Sequence, residues 1–409
     1  MRSKLHRKSN SRKIKDQKLN ILLEVTKAIN NNQPTEELLR KYEHFLRNEL
    51  NIEKIVLFSN DNQWHTLLSY GISEKEIKAI HIEETLIPLK EITTVMSLNE
   101  KSLKGFDVVV PVYHKSHPLA YVLIGDIYED ELALSPTIKH LPFIQTLTNI
   151  IVVAIENKRL AKERLKEEVV RKELELASRM QNMLFPESLP NNEMVEMAAL
   201  YKPHQKVGGD YYDVITLNDN EIVLCLADVS GKGVSAALLM ANFQANLRAL
   251  LNYSKSLSEL VKELNHKVML SAKGEKFITF FIAKYNYITH TLNYVNAGHN
   301  PPLLASGRSI NQLKVGSTGL GMFDELPKVR EGVITIDPYS VLVCYTDGMV
   351  DIENKEKEEF SIDRMIELLK FNKHLSMKEL NDLYIKKVDD FRGEIPYVDD
   401  ITLLSCRFK

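Results

Sequence analysis

Cysteine is scarce in this sequence, and its scarcity excludes two classes of small stabilised domain. Only 3 cysteines occur among 409 residues, at Cys225, Cys344 and Cys406. No two of them have the spacing of metal ligands, and an odd number argues against a disulfide framework. Each lies in an apolar run, so we expect buried structural thiols. Because the sequence has no His/Cys cluster either, a zinc site is disfavoured.

Long apolar runs and a strong net charge are also missing. Runs such as Ile150–Ile155 are far too short to cross a bilayer, which takes about 20 apolar residues. The formal net charge of -2 argues against a nucleic-acid binder that works through global charge. We therefore expect a cytoplasmic protein with no membrane span and no nucleic-acid partner.

The first 18 residues are the exception to this even charge distribution. They are rich in Lys and Arg and contain one acid, Asp16. No apolar core follows them, as it would in a secretory signal. We expect a basic disordered tail over residues 1–18, and binding to acidic lipid or RNA is the alternative.

Residues 19–155 carry the pattern of a small α+β domain. Two helical patterns come first, separated by a break at Asn30–Pro34. Strand-like runs follow at Lys54–Ser59, Trp64–Tyr70, Asp107–Tyr113 and Leu119–Ile127, and a last helix begins near Leu141. The arrangement resembles a GAF domain, with Val109–Val112 and Tyr121–Gly125 as strands in the expected places. The resemblance implies a sensor domain with a possible small-molecule ligand.

Residues 156–185 are densely charged and contain no Gly or Pro, which predicts one long helix. Ile155, Val169, Leu176 and Met183 share a seven-residue spacing, with Leu165 on the adjoining seam position. Lys162 interrupts this apolar stripe. We expect an imperfect coiled-coil linker that makes a homodimer, and a solvated single helix is the alternative.

Residues 186–409 read as one domain with much antiparallel sheet, and two facing sheets flanked by helices would fit the pattern. Strand-like runs are predicted at Glu193–Tyr201, Tyr211–Leu217, Glu221–Asp228, Phe277–Tyr285, Thr291–Asn296, Leu303–Ser306, Val333–Ile336, Val341–Thr346 and Ile401–Phe408. Helices are predicted at Ser235–Leu251, Leu257–Ser271, Ile362–Leu369 and Met377–Phe391.

Acidic residues stand at the ends of several of these runs. They occur in the sequences VGGDYYD (207–213), ADVSGKG (227–233), YTDGMVD (345–351) and DDIT (399–402). If the strands lie side by side in suitable directions, the acids converge at one edge. For any single Asp-Gly or Gly-Asp pair, a turn after a strand is the simpler interpretation. Four such sites together favour a shared function.

Converging carboxylates repel one another, at a cost on the order of 4 kcal/mol per close pair at an effective dielectric near 20. Hard divalent ions such as Mg²⁺ and Mn²⁺ remove this conflict, because they prefer carboxylate, carbonyl and water oxygens. Two such ions can polarise a phosphate and lower the pKa of a bridging water. The Ser230–Gly233 segment resembles a phosphate loop but lacks its spacing.

The ordered motifs GGDYYD, ADVSGKG, NAGHNPP (296–302), TDGMVD and DDIT resemble the PPM metal-dependent serine/threonine protein phosphatases, specifically their bacterial SpoIIE-like branch. The resemblance covers about Leu176–Lys409. It implies an αββα sandwich with two Mn²⁺ or Mg²⁺ ions. It also implies phosphoserine or phosphothreonine protein substrates.

The same resemblance implies roles for individual residues. Asp228 should bridge both metals, with the Val229 carbonyl helping to hold one of them. Asp347 and Asp399 should bind the other, and Asp210 should act directly or through water. Three further acids match the family more loosely: Asp351 matches a ligand of a third metal in some relatives, while Asp213 and Asp400 are either ligands or hydrogen-bonding residues.

Two positions depart from the eukaryotic branch of the family. A histidine proposed there as general acid is Ser230 here, and the phosphate-binding arginine has no clear match, with Lys206 a possible substitute. His299 lies in a tight turn, and we expect a hydrogen-bonded turn histidine there rather than a metal ligand.

The resemblance implies a phosphatase that is switched by its N-terminal domain. The implied substrate is a phosphorylated STAS-domain antagonist in a partner-switching pathway that controls a σ factor. Two alternatives remain: a catalytically silent scaffold of the same fold, and a small-molecule receptor. A scaffold could lose Asp210, Asp228, Asp347 or Asp399, and this chain retains all of them.

Overall fold

The computed structural model describes residues 2–61, 63–98, 100–114, 116–125 and 136–409. It divides the chain into two compact units, Met1–Glu168 and Val169–Lys409. Each unit is built around antiparallel sheet with helices packed on its faces. Within the described residues no helix combines the length and the apolar character needed to cross a membrane.

The N-terminal unit contains helices and short strands in the predicted order. Its helices are α1 (Arg2–Asn30), α2 (Thr35–His44), α3 (Glu74–Lys78) and the first part of α4 (Pro136–Asn182). Its strands are β1 (Lys54–Asn60), β2 (Trp64–Tyr70), β3 (Thr93–Thr94), β4 (Val108–His114) and β5 (His117–Gly125). Short π-helical segments lie at Phe45–Glu49 and Ile82–Leu86, and 3₁₀ turns lie at Val95–Ser97 and Lys101–Leu103.

Helix α1 extends back to Arg2, so the expectation of a disordered tail is wrong for residues 2–18. The physical reason is that residues 2–30 contain no proline and no glycine, so no helix stop lies before the predicted first helix. Met1 lies outside the described residues.

The sheet of the N-terminal unit has the strand order β2-β1-β5-β4-β3 and is buried on both faces. Ile55 and Leu57 face a core formed with α1, α2 and α4, while Val56 and Phe58 face a second core with Leu86 and other loop residues. This alternation is what a two-sided strand requires. The α+β class is as predicted, and the GAF assignment stays a prediction. Asp126 and Ile127, the end of the fourth predicted strand, lie outside the described residues.

Helix α4 is a single element of 47 residues from Pro136 to Asn182. It therefore includes both the last helix of the first domain and the predicted linker, and the boundary between the two units falls inside it. The predicted stripe is exposed, at 50% for Val169, 60% for Leu176 and 81% for Met183. The coiled coil stays a prediction.

The C-terminal unit contains two sheets whose strands pair antiparallel, except that β13 pairs with β10 in parallel. Sheet I has the order β13-β10-β9-β8-β7 with β14 paired to β10, and sheet II has the order β12-β11-β15-β16-β6. The strands are β6 (Val195–Lys202), β7 (Tyr211–Asn218), β8 (Glu221–Val229), β9 (Ile278–Asn286), β10 (Thr291–Ala297), β11 (Leu303–Ser306), β12 (Ser309–Gln312), β13 (Gly316–Ser317), β14 (Gly332–Thr335), β15 (Val341–Tyr345) and β16 (Ile401–Phe408). The helices are α5 (Val234–Leu251), α6 (Leu257–Ala272), α7 (Ser361–Asn372) and α8 (Met377–Arg392).

Three cores show how these layers stack. Residues of both sheets, such as Leu224, Phe281 and Leu404, form a core between the sheets. Helices α5 and α6 cover the outer face of sheet I, and α7 and α8 cover the outer face of sheet II. The predicted αββα sandwich is therefore the observed fold. All three cysteines are buried free thiols, as predicted.

Candidate active site

The predicted acids come from both sheets of the sandwich. Asp210 directly precedes β7 and Asp228 lies near the end of β8, both in sheet I. Asp347 begins a 3₁₀ turn directly after β15, while Asp399 directly precedes Asp400 at the start of β16, in sheet II. The acids therefore converge, as expected from the sequence. They come from two facing sheets, however, and not from strands that lie side by side in one sheet.

Asp210 is held by two threonines of the opposite sheet. Its side chain is buried, and Oδ2 accepts hydrogen bonds from the hydroxyls of Thr346 (2.8 Å) and Thr402 (2.5 Å). The hydroxyl of Thr346 in turn accepts from the backbone N–H of Thr402 at 2.9 Å. Burial raises the pKa of Asp210 well above its ordinary value, and the charges of Asp228 and Asp400 add to this effect. Asp210 thus links the two sheets at the site.

Asp228 lies where the charges of several acids act together. Burial raises its pKa to about 7, and the charges of Asp347, Asp399 and Asp400 contribute in that order. Burial also raises the pKa of Asp347, with Asp399 and Asp351 as the next causes. Burial and mutual repulsion thus both favour the protonated forms of these carboxyls.

Asp400 and Asp213 are hydrogen-bonding anchors, which favours the second of the two roles left open for them. The Asp400 carboxylate accepts the backbone N–H groups of His204 and Gly209, each at 2.7 Å. It thereby fixes the segment that leads into Asp210. A Cβ at Gly208 would lie 2.1 Å from Asp400 Oδ2, so only glycine fits there.

The buried carboxylate of Asp213 is bound by Arg248 of helix α5. The Arg248 guanidinium contacts both carboxylate oxygens, at 2.8 and 3.0 Å, and the Tyr211 hydroxyl donates to one of them. Asp213 therefore joins β7 to α5, the helix that follows the Asp228 loop. Sequence reasoning missed Arg248, because its partner lies 35 residues away and no motif contains it.

The loop after Asp228 is shaped by Ser230. The Ser230 hydroxyl accepts the backbone N–H of Phe277 at 2.9 Å, and its own N–H donates to the Phe277 carbonyl at 2.9 Å. Lys276 Nζ donates to the Ser230 carbonyl at 2.8 Å. Gly231 and Gly233 have φ values of +83° and +77°, which glycine adopts without strain. These contacts occupy Ser230 in building the loop.

Lys232 of the same loop lies among the acids. Its ammonium is 2.9 Å from Asp399 Oδ2, and it also donates to the Val398 carbonyl. Sequence reasoning treated this segment as a failed phosphate loop and did not single out Lys232. Lys206, the substitute suggested for the phosphate-binding arginine, is exposed. Its Nζ lies 3.7 Å from Oε1 of Glu175 in helix α4. For Lys232, the available sequence signal was that a single lysine lies inside the acidic motif ADVSGKG (227–233).

Gln181 is a third residue, after Arg248 and Lys232, that the sequence did not reveal. It lies near the end of helix α4 and is buried. Its side-chain amide donates to the Gly208 carbonyl at 2.7 Å and accepts from the Gly208 N–H at 3.1 Å. Gly208 is two residues before Asp210, so the helix end is tied directly to the acidic segment.

His299 is the hydrogen-bonded turn histidine that was predicted. It is buried, its backbone N–H donates to Asn296 Oδ1 at 2.8 Å, and its Nδ1 is 2.8 Å from the hydroxyl of Thr279. Burial lowers the pKa of His299 to about 4. A hydrogen bond with the Tyr345 backbone acts in the opposite direction and has the smaller effect. The imidazole is therefore neutral near pH 7.

The donor set fits hard divalent ions. It consists of carboxylates and the carbonyl of Val229, the oxygen ligands that Mg²⁺ and Mn²⁺ prefer. A Cβ at Gly209 would lie 2.8 Å from that carbonyl, so glycine allows the Asp210 segment to approach it. Among the described residues no three His, Cys, Asp or Glu side chains are gathered closely enough to hold an ion as they stand. Lys232 holds Asp399 and the two threonines hold Asp210, so ion binding requires small side-chain shifts.

Comparisons with known proteins agree with this fold. Residues 218–409 match the model of the family described as stage II sporulation protein E (SpoIIE). The phosphoserine phosphatase RsbU of Bacillus subtilis is 27% identical over 370 residues, which cover 85% of this chain and 98% of that protein. Protein IcfG of Synechocystis sp. is 27% identical over 276 residues, which cover 61% of this chain but only 43% of that protein.

Among the solved structures that match, a phosphatase domain shows the same fold over 60% of this chain. The PP2C domain of SiaA from Pseudomonas aeruginosa covers 60% of this chain and 99% of that domain, with a TM-score of 0.55 and 21% identity. At this identity the likeness establishes the fold alone.

Proposed function

We propose that this chain, whose residues 218–409 carry a SpoIIE-like domain of the PPM phosphatases, is a metal-dependent phosphoserine/phosphothreonine protein phosphatase regulated by its N-terminal domain. The observation that carries the proposal is the meeting of Asp210, Asp228, Asp347 and Asp399 from two facing sheets. Burial raises the pKa values of Asp210, Asp228 and Asp347, and the mutual repulsion of these carboxylates favours a site that binds cations.

The residues of the site divide into ligands and supports. Asp228, positioned between the acids of both sheets, would bridge two Mn²⁺ or Mg²⁺ ions, and the Val229 carbonyl would complete one position. Asp347 and Asp399 would hold the second ion. Such ions supply charge stabilisation and an activated water, so the chain needs no nucleophile of its own. Asp210 would act directly or through water, oriented by Thr346 and Thr402.

His299 does not fit the role of general acid, and the contacts of Ser230 favour a structural role for it in the loop. The Ser230 hydroxyl accepts a backbone hydrogen bond that builds the loop, and His299 is buried and neutral. The proton for the departing serine or threonine oxygen therefore comes from another source in this proposal. This distinguishes the chain from the eukaryotic branch described above.

The proposed substrate is a phosphorylated STAS-domain protein of a partner-switching pathway that controls a σ factor. The support for it is the match to RsbU, a protein named as a phosphoserine phosphatase, over nearly its full length. A catalytically silent scaffold is the second candidate. The acids that this chain retains, and the hydrogen bonds that position them, favour the enzyme.

The N-terminal unit is the proposed sensor, with a small molecule as its ligand. A cleft beside the end of β1 and the start of β2 is lined by Trp64, Ile80, Ile82 and Glu83 among others. Its mixture of one indole ring, apolar side chains and carboxylates fits a small ligand with both an apolar and a cationic or hydroxylated part. Thermal unfolding of the chain with candidate ligands tests this part of the proposal.

The deciding experiment measures phosphate release by the full chain from the phosphorylated STAS proteins of the same organism. We expect release with Mn²⁺, none with chelator, and none from the Asp228→Asn variant. Asp219→Asn is the matched control, because Asp219 is an exposed acid in the turn between β7 and β8. Binding of these proteins without any phosphate release by the metal-loaded chain would support the scaffold instead.

A further inference from the structure

Lys232 is placed by its loop to contact a predicted metal ligand. It lies between Gly231 and Gly233, whose positive φ values turn the loop sharply on either side of it. Its ammonium is 2.9 Å from Asp399 Oδ2, while Asp399 Oδ1 accepts the N–H of Asp400 at 2.9 Å. Both oxygens of the Asp399 carboxylate therefore already have a hydrogen-bond donor.

Lys276 provides a contrast, because it lies between α6 and β9 and its ammonium donates to the Ser230 carbonyl. Of the two lysines, Lys232 is the one whose ammonium the structure puts against a predicted metal ligand.

A divalent ion and an ammonium that contact the same carboxylate oxygen repel each other. Like charges a few Å apart repel strongly unless solvent separates them. Lysine carries its charge on a flexible four-carbon stem, and the Lys232 side chain is 42% exposed, so it has a route into solvent. Entry of an ion at Asp399 would thus break the Lys232–Asp399 pair and release the ammonium.

We propose that Lys232 is a tethered counter-cation for Asp399 that a divalent ion must displace, and that it thereby sets the affinity of the metal position formed by Asp347 and Asp399. The inference rests on the proposed metal-dependent function. It makes Lys232 a residue that tunes metal binding, and it assigns this residue no contact with the reacting phosphate.

The test is calorimetric titration of the full chain with Mn²⁺. Lys232→Gln should tighten the weaker Mn²⁺ site by about fivefold, the value of one partly exposed ion pair. Lys232→Arg keeps the charge and should stay near the wild-type affinity. Lys284→Gln removes a lysine that pairs with Glu221, at the other end of β8 from Asp228, and it should also stay near the wild type.

A double-mutant cycle locates the effect. In the Asp399→Asn background, Lys232→Gln should leave the affinity of the remaining Mn²⁺ site unchanged, since the ion pair is already gone. Equal Mn²⁺ affinities for wild type, Lys232→Gln and Lys284→Gln, in a chain that still releases phosphate, would overturn the inference and leave the proposed function standing. A chain that binds no Mn²⁺ in any variant would overturn both. Tighter Mn²⁺ binding by Lys232→Gln without phosphate release would support the inference and count against the proposed function.

Discussion

Gln181 holds both backbone polar atoms of Gly208, donating to its carbonyl at 2.7 Å and accepting from its N–H at 3.1 Å. One side chain near the end of a 47-residue helix thereby fixes the backbone two residues before Asp210. The same helix begins in the N-terminal unit, and Gln181 ties its C-terminal end to the backbone beside the acidic site.

Replacing Gln181 tests this connection. Gln181→Leu keeps the approximate size but leaves both Gly208 groups without a partner, which typically costs about 1–3 kcal/mol for a buried group. We expect a lower unfolding temperature and at least about tenfold weaker Mn²⁺ binding, because Asp210 loses its fixed backbone. The neighbouring residue Asn182 is exposed, so Asn182→Leu is the control that should leave both quantities unchanged. Wild-type Mn²⁺ affinity in Gln181→Leu would show that the clamp does not position the site.

Metal dependence is the second prediction. Asp228→Asn removes the carboxylate proposed to bridge both ions, so we expect both Mn²⁺ sites to be lost in calorimetry and phosphate release to fall to background. The exposed acid Asp219 provides the control substitution Asp219→Asn. Full activity of Asp228→Asn, or of chain stripped of metal by a chelator, would contradict the two-metal mechanism.

The pKa of Asp228 predicts how pH affects the metal-free chain. Its pKa is about 7 when folded, against an ordinary value of 3.8. Between these values the folded state holds a proton that the unfolded state has lost, so this contribution to stability is present at low pH and disappears as pH rises through about 7. Asp228→Asn should therefore stabilise the metal-free chain relative to wild type at pH 8 by more than at pH 5. Thermal unfolding with chelator at both pH values measures this difference.

Mn²⁺ should show the converse dependence in the wild-type chain. Ionised carboxylates bind the ion and protonated ones do not, so Mn²⁺ should raise the unfolding temperature more at pH 8 than at pH 5. An equal Mn²⁺-induced shift at the two pH values would mean that the acids are already ionised at pH 5.

Ser230 gives a further test, because its hydroxyl accepts the Phe277 N–H and so helps to build the loop. We expect Ser230→Ala to retain most of the phosphatase rate and to lose a modest part of the stability, about 1 kcal/mol for one hydrogen bond. Steady-state kinetics at saturating Mn²⁺ measures the rate. A loss of about a hundredfold or more with intact metal affinity would instead indicate proton transfer, since general acids contribute roughly 10²–10⁴-fold.

The sequence predicted the regular elements well where hydrophobic pattern alone decides them. Strand β16 has the predicted limits Ile401–Phe408, and helix α6 differs from its prediction by a single residue at one end. The missed strands β12 and β13 are short and partly polar, and they exist because β11 and β10 offer edges to pair with. Such pairing is a tertiary effect that a local pattern does not contain.

The site was predictable as far as its motifs reach. Asp210, Asp228, Asp347 and Asp399 stand in short recognisable sequences, and the structure brings them together. Gln181, Arg248 and Lys232 act through partners distant in the sequence, with Gln181 27 residues from Gly208 and Arg248 35 residues from Asp213. Each partner choice depends on how α4, α5 or the Asp228 loop packs on the sheets, which the sequence pattern left open.

A further prediction concerns the exposed apolar stripe of helix α4. Val169 and Leu176 are at least half exposed although both are large and apolar, and they share the seven-residue spacing of a coiled-coil seam. If this stripe pairs with a second copy, the full chain should be a dimer in light scattering. The double variant Val169→Glu/Leu176→Glu should then be a monomer, because it places like charges along the seam. Arg171→Glu is the matched control, since Arg171 lies on the opposite helix face and should leave the dimer intact.

The same helix should transmit the regulatory signal, because it connects the two units without a Gly/Ser-rich spacer. Inserting two alanines near Glu167 would rotate the following part of the helix by roughly 200° at 3.6 residues per turn. We expect this insertion to change basal phosphate release or its response to ligand. An insertion of seven alanines at the same place restores the facing of the stripe to within about 20° and should change the activity less. A coiled coil with a lysine on its seam is marginal, so two packings can differ by only a few kcal/mol and a ligand can select between them. A monomeric chain whose activity ignores both insertions would rule out transmission through this helix.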